Sequence, residues 1–124
     1  MLFIMPSCYL ELLTVFKRKI WLFNQIILNK NKRKVFWGAS VFLENFISKH
    51  KIKNENIIGI IDKNPAKHNT YIGKYLCYPP EKLKELNADM VIITIVNFSK
   101  SNQQSIKEFL NDEIGQKEIE IKCI

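Results

Sequence analysis

Apolar residues change their period near residue 32. Before that point Tyr9, Leu13, Phe16, Ile20, Phe23 and Ile27 follow one another at separations of 4, 3, 4, 3 and 4. That is one helix face carried through more than two heptads. Leu12, Trp21, Leu22 and Ile26 widen the face beyond a narrow seam. The spacing predicts a helix over 7–29. Ser7, after Pro6, can cap its first amides. Asn29-Lys30-Asn31-Lys32 ends it, with cations near the negative end of the helix dipole. So apolar a helix needs cover. Three covers are open: its own domain, a second copy or a partner enzyme docked through residues 9–27, or a peripheral membrane contact with lysines near lipid head groups.

Beyond residue 32 the pattern becomes short apolar runs alternating with helical stretches. Val35-Phe36-Trp37 predicts a first strand, ended by Gly38-Ala39-Ser40. Ser40 can cap a helix from Val41 to about Lys49, with Phe42, Phe46 and Ile47 inward. Ile57-Ile58-Gly59-Ile60-Ile61 predicts a second strand, stopped by Asp62-Lys63-Asn64-Pro65; residues 66–73 read as loop. Tyr75-Leu76-Cys77-Tyr78 predicts a third strand, and Pro79-Pro80 opens a short helix through Leu86. Met90 to Val96 is the longest β-branched run and predicts a strand buried on both faces. Ser101 to Asn111 suits a helix with Ile106, Phe109 and Leu110 inward, and Gly115 follows as a stop. The clean alternation of residues 118–124 predicts a fifth strand at an edge, wet on one face.

This order predicts an α/β domain of three layers with a mostly parallel five-stranded sheet, strand order 3-2-1-4-5, preceded by an N-terminal amphipathic helix. The expected division is a basic helical leader over 1–32 and the α/β domain over 33–124. With 124 residues there is room for one domain.

Charge sharpens the division. Residues 1–34 hold seven basic residues against one acid, Glu11, whereas residues 35–124 hold twelve lysines against eleven acids. The globular part is nearly neutral, which argues against a nucleic-acid partner. Cys8, Cys77 and Cys123 form no paired spacing, and His50 and His68 complete no metal-ligand pattern, so no metal site is expected. Reduced cysteines, no basic stretch ahead of the apolar N-terminus, and an apolar segment interrupted by Glu11 and Lys17–Lys19 predict a cytoplasmic location.

In sheets of this kind ligands bind beyond the carboxyl ends of the strands, where the strand order reverses. That edge would collect Gly38, Ala39 and Ser40 after the first strand, Asp62 after the second and Asn97 after the fourth. Gly38 permits a tight turn and a close phosphate approach. The amides that follow open a helix N-terminus, which favours anions. Asp62 lies 24 residues after Gly38, a distance at which an acid meets ribose hydroxyls. The fingerprint G-x-G-x-x-G is incomplete: Ser40 replaces the second glycine and Leu43 the third. A side chain as large as Leu43 is expected to hinder close helix–strand approach. No nucleophile elbow, Walker lysine or H-E-x-x-H is present, so no catalytic set can be named.

One set of segments carries a resemblance. It comprises Val35-Phe36-Trp37-Gly38-Ala39-Ser40, Ile57 to Pro65, Ile72-Gly73-Lys74-Tyr75, Tyr78 to Leu83 and Ala88 to Thr94, in that order. Together they resemble the small Rossmann-like domain of bacterial cell-surface polysaccharide enzymes. That domain occurs in nucleotide-sugar dehydratases, sugar acetyltransferases and the C-terminal part of some sugar methyltransferases. The resemblance covers about residues 33–97. It implies an accessory domain of surface-carbohydrate biosynthesis that binds NAD(P) or a nucleotide-sugar through Gly38, Ala39, Ser40, Asp62 and Asn97. The larger relatives' catalytic machinery is absent from the sequence. The alternative function is a non-catalytic assembly module that dimerises or docks on an enzyme through its N-terminal helix.

Overall fold

The computed structural model describes residues 7–50, 56–95, 100–114 and 119–123. The chain runs α1 (Ser7–Leu28), β1 (Lys34–Trp37), α2 (Val41–Lys49), β2 (Ile57–Ile61), β3 (Tyr71–Ile72), β4 (Tyr75–Tyr78), α3 (Leu83–Leu86), β5 (Met90–Ile93), α4 (Lys100–Ile114) and β6 (Glu120–Cys123). The sheet order is β3-β4-β2-β1-β5-β6. The pairs β4-β2, β2-β1, β1-β5 and β5-β6 are all parallel.

The five expected strands are β1, β2, β4, β5 and β6, and they stand in the expected order. The sixth, β3, is an addition within the segment read as loop. Tyr71 and Ile72 pair antiparallel with Leu76 and Tyr75. The connection is the two-residue turn Gly73-Lys74, and Gly73 takes φ +61°, the left-handed conformation that such tight hairpins use. A strand of two residues is too short to show a period in sequence, which is why the pattern concealed it.

Central position explains the uniform hydrophobicity of β1 and β5. Every residue of both strands is buried, because helices cover both faces of the sheet. On one face Leu22 and Ile26 of α1 and Leu43 and Phe46 of α2 pack on Phe36, Ile60 and Ile92. On the other, Leu83 of α3 and Ile106 and Leu110 of α4 pack on Val35, Trp37, Ile61, Val91 and Ile93. This is a three-layer α/β fold. At the edge, Ile119, Ile121 and Cys123 turn toward the second core, while Glu120 pairs with Lys32 and Lys122 on the wet side.

Leu43 is fully buried and belongs to the core cluster between α2 and the sheet. One residue departs from its expected surroundings. Lys34, grouped in sequence with the basic leader, is inside the protein. Its Nζ donates to the carbonyl oxygens of Asn29 (2.7 Å) and Lys32 (2.9 Å). The cation thereby caps the turn just past the end of α1, adding to the Lys32 amide that the Asn29 carbonyl already accepts. Gly115, the expected helix stop, lies outside the described residues.

Candidate functional site

The carboxyl ends of β1, β2 and β5 meet at the point where the chain moves from one side of β1 to the other. Trp37 ends β1, and Gly38 then turns with φ +111°. A Cβ added there would sit 2.4 Å from Ile95 Cγ1, so the corner accepts no larger residue without movement. The Gly38 amide donates to the Ile61 carbonyl at 2.7 Å, and the Thr94 amide donates to the Trp37 carbonyl at 3.0 Å. The corner is thus pinned to β2 on one side and to the end of β5 on the other. Thr94, fully buried, adds a hydroxyl that donates to the Gly38 carbonyl at 2.8 Å.

Ser40 is the N-cap of α2. Its backbone is extended, and its Oγ accepts from the Leu43 amide at 3.2 Å while donating to the Thr94 carbonyl at 3.1 Å. The serine standing in place of a glycine therefore serves the helix start and the β5 end together. Val41 and Phe42, the next residues, begin a helix and have no intrahelical acceptor for their amides. Val41 is exposed.

Asp62 joins the second corner to the first. Its Oδ2 accepts from the Ala39 amide at 2.7 Å, and its Oδ1 accepts from the Asn64 amide at 2.8 Å. The Asp62 amide donates to the Tyr78 carbonyl at 3.1 Å, bringing β4 into the same rim. His68 closes the following turn: its Nε2 lies 2.7 Å from the Asp62 carbonyl, an oxygen that can only accept, so Nε2 carries the proton. An ion pair between Lys67 and Glu44 ties this turn to α2.

Between these corners lies a cavity of about 260 Å³, lined by Trp37, Gly38, Asp62, Lys63, Ile95, Ser105 and Ile106. It falls just under the size range of pockets that enclose drug-sized ligands, roughly 300–1,000 Å³. It can house one compact group, and a longer ligand would have to continue along the rim. The Phe109 ring stands edge-on against Trp37, with centroids 5.9 Å apart, and backs that lining residue.

Of the expected site residues, Gly38, Ala39, Ser40 and Asp62 are brought together at one rim, and Asn97 lies outside the described residues. Ala39 does more than follow a glycine, because its amide is already held by the Asp62 carboxylate. That contact places a negative charge at the start of α2, so a phosphate seated there would meet Asp62 directly. Each Asp62 oxygen keeps a second acceptor position for a ligand hydroxyl. Ser105 was missed in sequence, and no signal could have found it: only packing decides which side of α4 faces β1. Cys77, beside this rim, is fully buried; burial pushes its thiol pKa up and Asp62 adds to that, both disfavouring the thiolate, while Lys67 opposes them. Among the described residues no cluster of His, Cys, Asp or Glu could hold a metal ion.

No family model and no curated protein matches the sequence. Solved structures do match. UDP-D-quinovosamine 4-dehydrogenase from Vibrio fischeri is 25% identical with a TM-score of 0.56, over 75% of this chain and 78% of that one. RSP, a Rex-family repressor, in complex with beta-NADH, is 20% identical with a TM-score of 0.52, over 79% of this chain and 56% of that one. Its complex with beta-NAD+ and operator DNA gives 18% and 0.54, over 79% and 54%. This chain thus spans about half the length of the repressor. These likenesses establish the fold as Rossmann-like. Among the described residues no helix is long and apolar enough to cross a membrane.

Proposed function

We infer that this chain binds a nucleotide or nucleotide-sugar at the rim formed by Gly38, Ala39, Ser40 and Asp62, as an accessory domain of cell-surface carbohydrate biosynthesis. The observation that carries the reading is the juxtaposition of the two corners. Asp62 reaches the Ala39 amide, and the cavity opens between Gly38 and Asp62. Two further points support it. The dehydrogenase of similar fold is named for a UDP-sugar, and the repressor was solved with NAD(H).

The electrostatics favour one orientation and disfavour one ligand. Ribose hydroxyls belong at Asp62, which has only acceptors to offer. A second phosphate on that ribose would face a carboxylate at hydrogen-bond distance from α2, so NADPH should bind more weakly than NADH. The diphosphate belongs farther along α2, at the Val41 and Phe42 amides. The residues named here bind and orient. No acid, base or nucleophile among them suits a reaction.

Isothermal titration with NADH, NADPH and UDP-N-acetylglucosamine tests the reading. Heat is expected with NADH or the UDP-sugar, weakened in Asp62→Asn. Silence from all three with a protein that unfolds cooperatively would sink it.

A further inference from the structure

The N-terminal helix has two apolar faces, and the domain covers only one. Leu22 and Ile26 are buried in the core. Phe16, Ile20, Phe23 and Ile27 are 42–60% exposed. At helical pitch these four positions share an arc of about 60°, so they form one continuous stripe. Beside it a groove of about 340 Å³ runs between α1 and the end of α2, floored by Phe46 and His50.

The charges beside the stripe decide what can cover it. Lys19 flanks it on one side and lines the groove. Lys17, exposed, flanks it on the other, about 60° beyond Ile20. Neither lysine has an ion-pair partner among the described residues. Glu11 is the one acid of α1, and its helical position is about half a turn away from Ile20. In a parallel pair with a second copy Lys19 would stand against Lys17, an arrangement that flanking positions of helix pairs avoid, and in either direction no acid of α1 flanks the stripe to answer the lysines. A surface that is apolar within and negative at its border fits instead.

We propose that the exposed face of α1 lies in the interface of an anionic lipid bilayer. Phe16, Ile20, Phe23 and Ile27 enter the acyl boundary, and Lys17 and Lys19 meet head-group phosphates. Acyl chains fill the irregular groove beside Phe46 without needing a matching ridge. The helix, about 33 Å long at 1.5 Å per residue, lies in the plane rather than across it. The proposal does not depend on nucleotide binding, and neither result below bears on that reading.

The test is co-sedimentation of the full chain with vesicles of phosphatidylcholine and phosphatidylserine in equal parts, and with phosphatidylcholine alone. Binding is expected to the first only, and to weaken with salt. Lys17→Ser with Lys19→Ser should reduce it on the order of 10-fold or more, and Phe16→Ser with Ile27→Ser should abolish it. Both double variants leave the core untouched, and circular dichroism verifies their folding. Equal binding to neutral vesicles, or none to anionic ones, overturns the proposal. A lipid-free dimer in sedimentation velocity that Phe16→Ser with Ile27→Ser converts to monomer also overturns it, in favour of a second copy.

Discussion

Replacing Gly38 with alanine tests the geometry on which the whole rim depends. Two separable costs arise. At φ +111° an alanine is held in a backbone region that L-residues avoid, a strain of about 1–3 kcal/mol. Its Cβ also falls 2.4 Å from Ile95 Cγ1. That atom belongs to a β-branched side chain with one stiff torsion, so overpacking adds about 1–3 kcal/mol. Together they reach about 2–6 kcal/mol, a large share of the roughly 5–15 kcal/mol that a domain commands. Urea unfolding would show this as a fall in midpoint of roughly 1–3 M at an unchanged slope. A double-mutant cycle with Ile95→Ala separates the parts. Removing the Ile95 side chain should return the steric part of the loss and leave the backbone part. If Gly38→Ala costs under about 0.5 kcal/mol, or Ile95→Ala restores none of it, the corner is not built as described.

Three further outcomes follow from the same rim and from the sheet edge. Thr94→Val keeps the shape but strips the donor from the buried Gly38 carbonyl, and chemical denaturation should show a loss of about 1–3 kcal/mol. Ser40→Ala removes the α2 cap and the donor to the Thr94 carbonyl and should cost about 1 kcal/mol, with Ser40→Thr, which keeps a hydroxyl for both bonds, recovering most of it in the same assay. The Lys32 hydrogen bond, with help from Lys122, holds the Glu120 carboxyl below its ordinary 4.5. A lowered folded-state pKa contributes stability that is complete above the ordinary value and disappears as pH falls through the lowered one. The gap between wild type and Glu120→Gln should therefore be full above the ordinary value and close as pH falls through the lowered one. It should stay under about 1 kcal/mol at neutral pH because the pair is exposed.

Much of the fold was legible because each signal was local. Val41–Lys49 forms a helix between Ser40 and His50 as its cap and period require. The β-branched run beginning at Met90 is buried on both faces, as continuous hydrophobicity implies. Gly38 and Asp62 were recognisable as corners, since a strand must end where apolar residues give way to glycine or to Asp-Lys-Asn-Pro. The alternating order of strands and helices then dictated a parallel sheet with β1 central.

Other features depended on residues far apart in the chain. The Asp62 carboxylate holds the Ala39 amide across 23 positions, and no pattern in either segment announces that bond. Ser105 joins the cavity only because α4 docks with Ile106 inward. Lys34 reads as one more surface cation, yet the central strand carries it inside, to the Asn29 and Lys32 carbonyls of the turn that follows α1. The leader helix shows the difference most plainly. Periodicity marked one broad apolar face on α1, but only the packed domain divided it into Leu22 and Ile26, which are covered, and Phe16 and Ile20, which are not. Hydrophobic period records which residues avoid water; the area that neighbouring elements can cover determines which of them succeed.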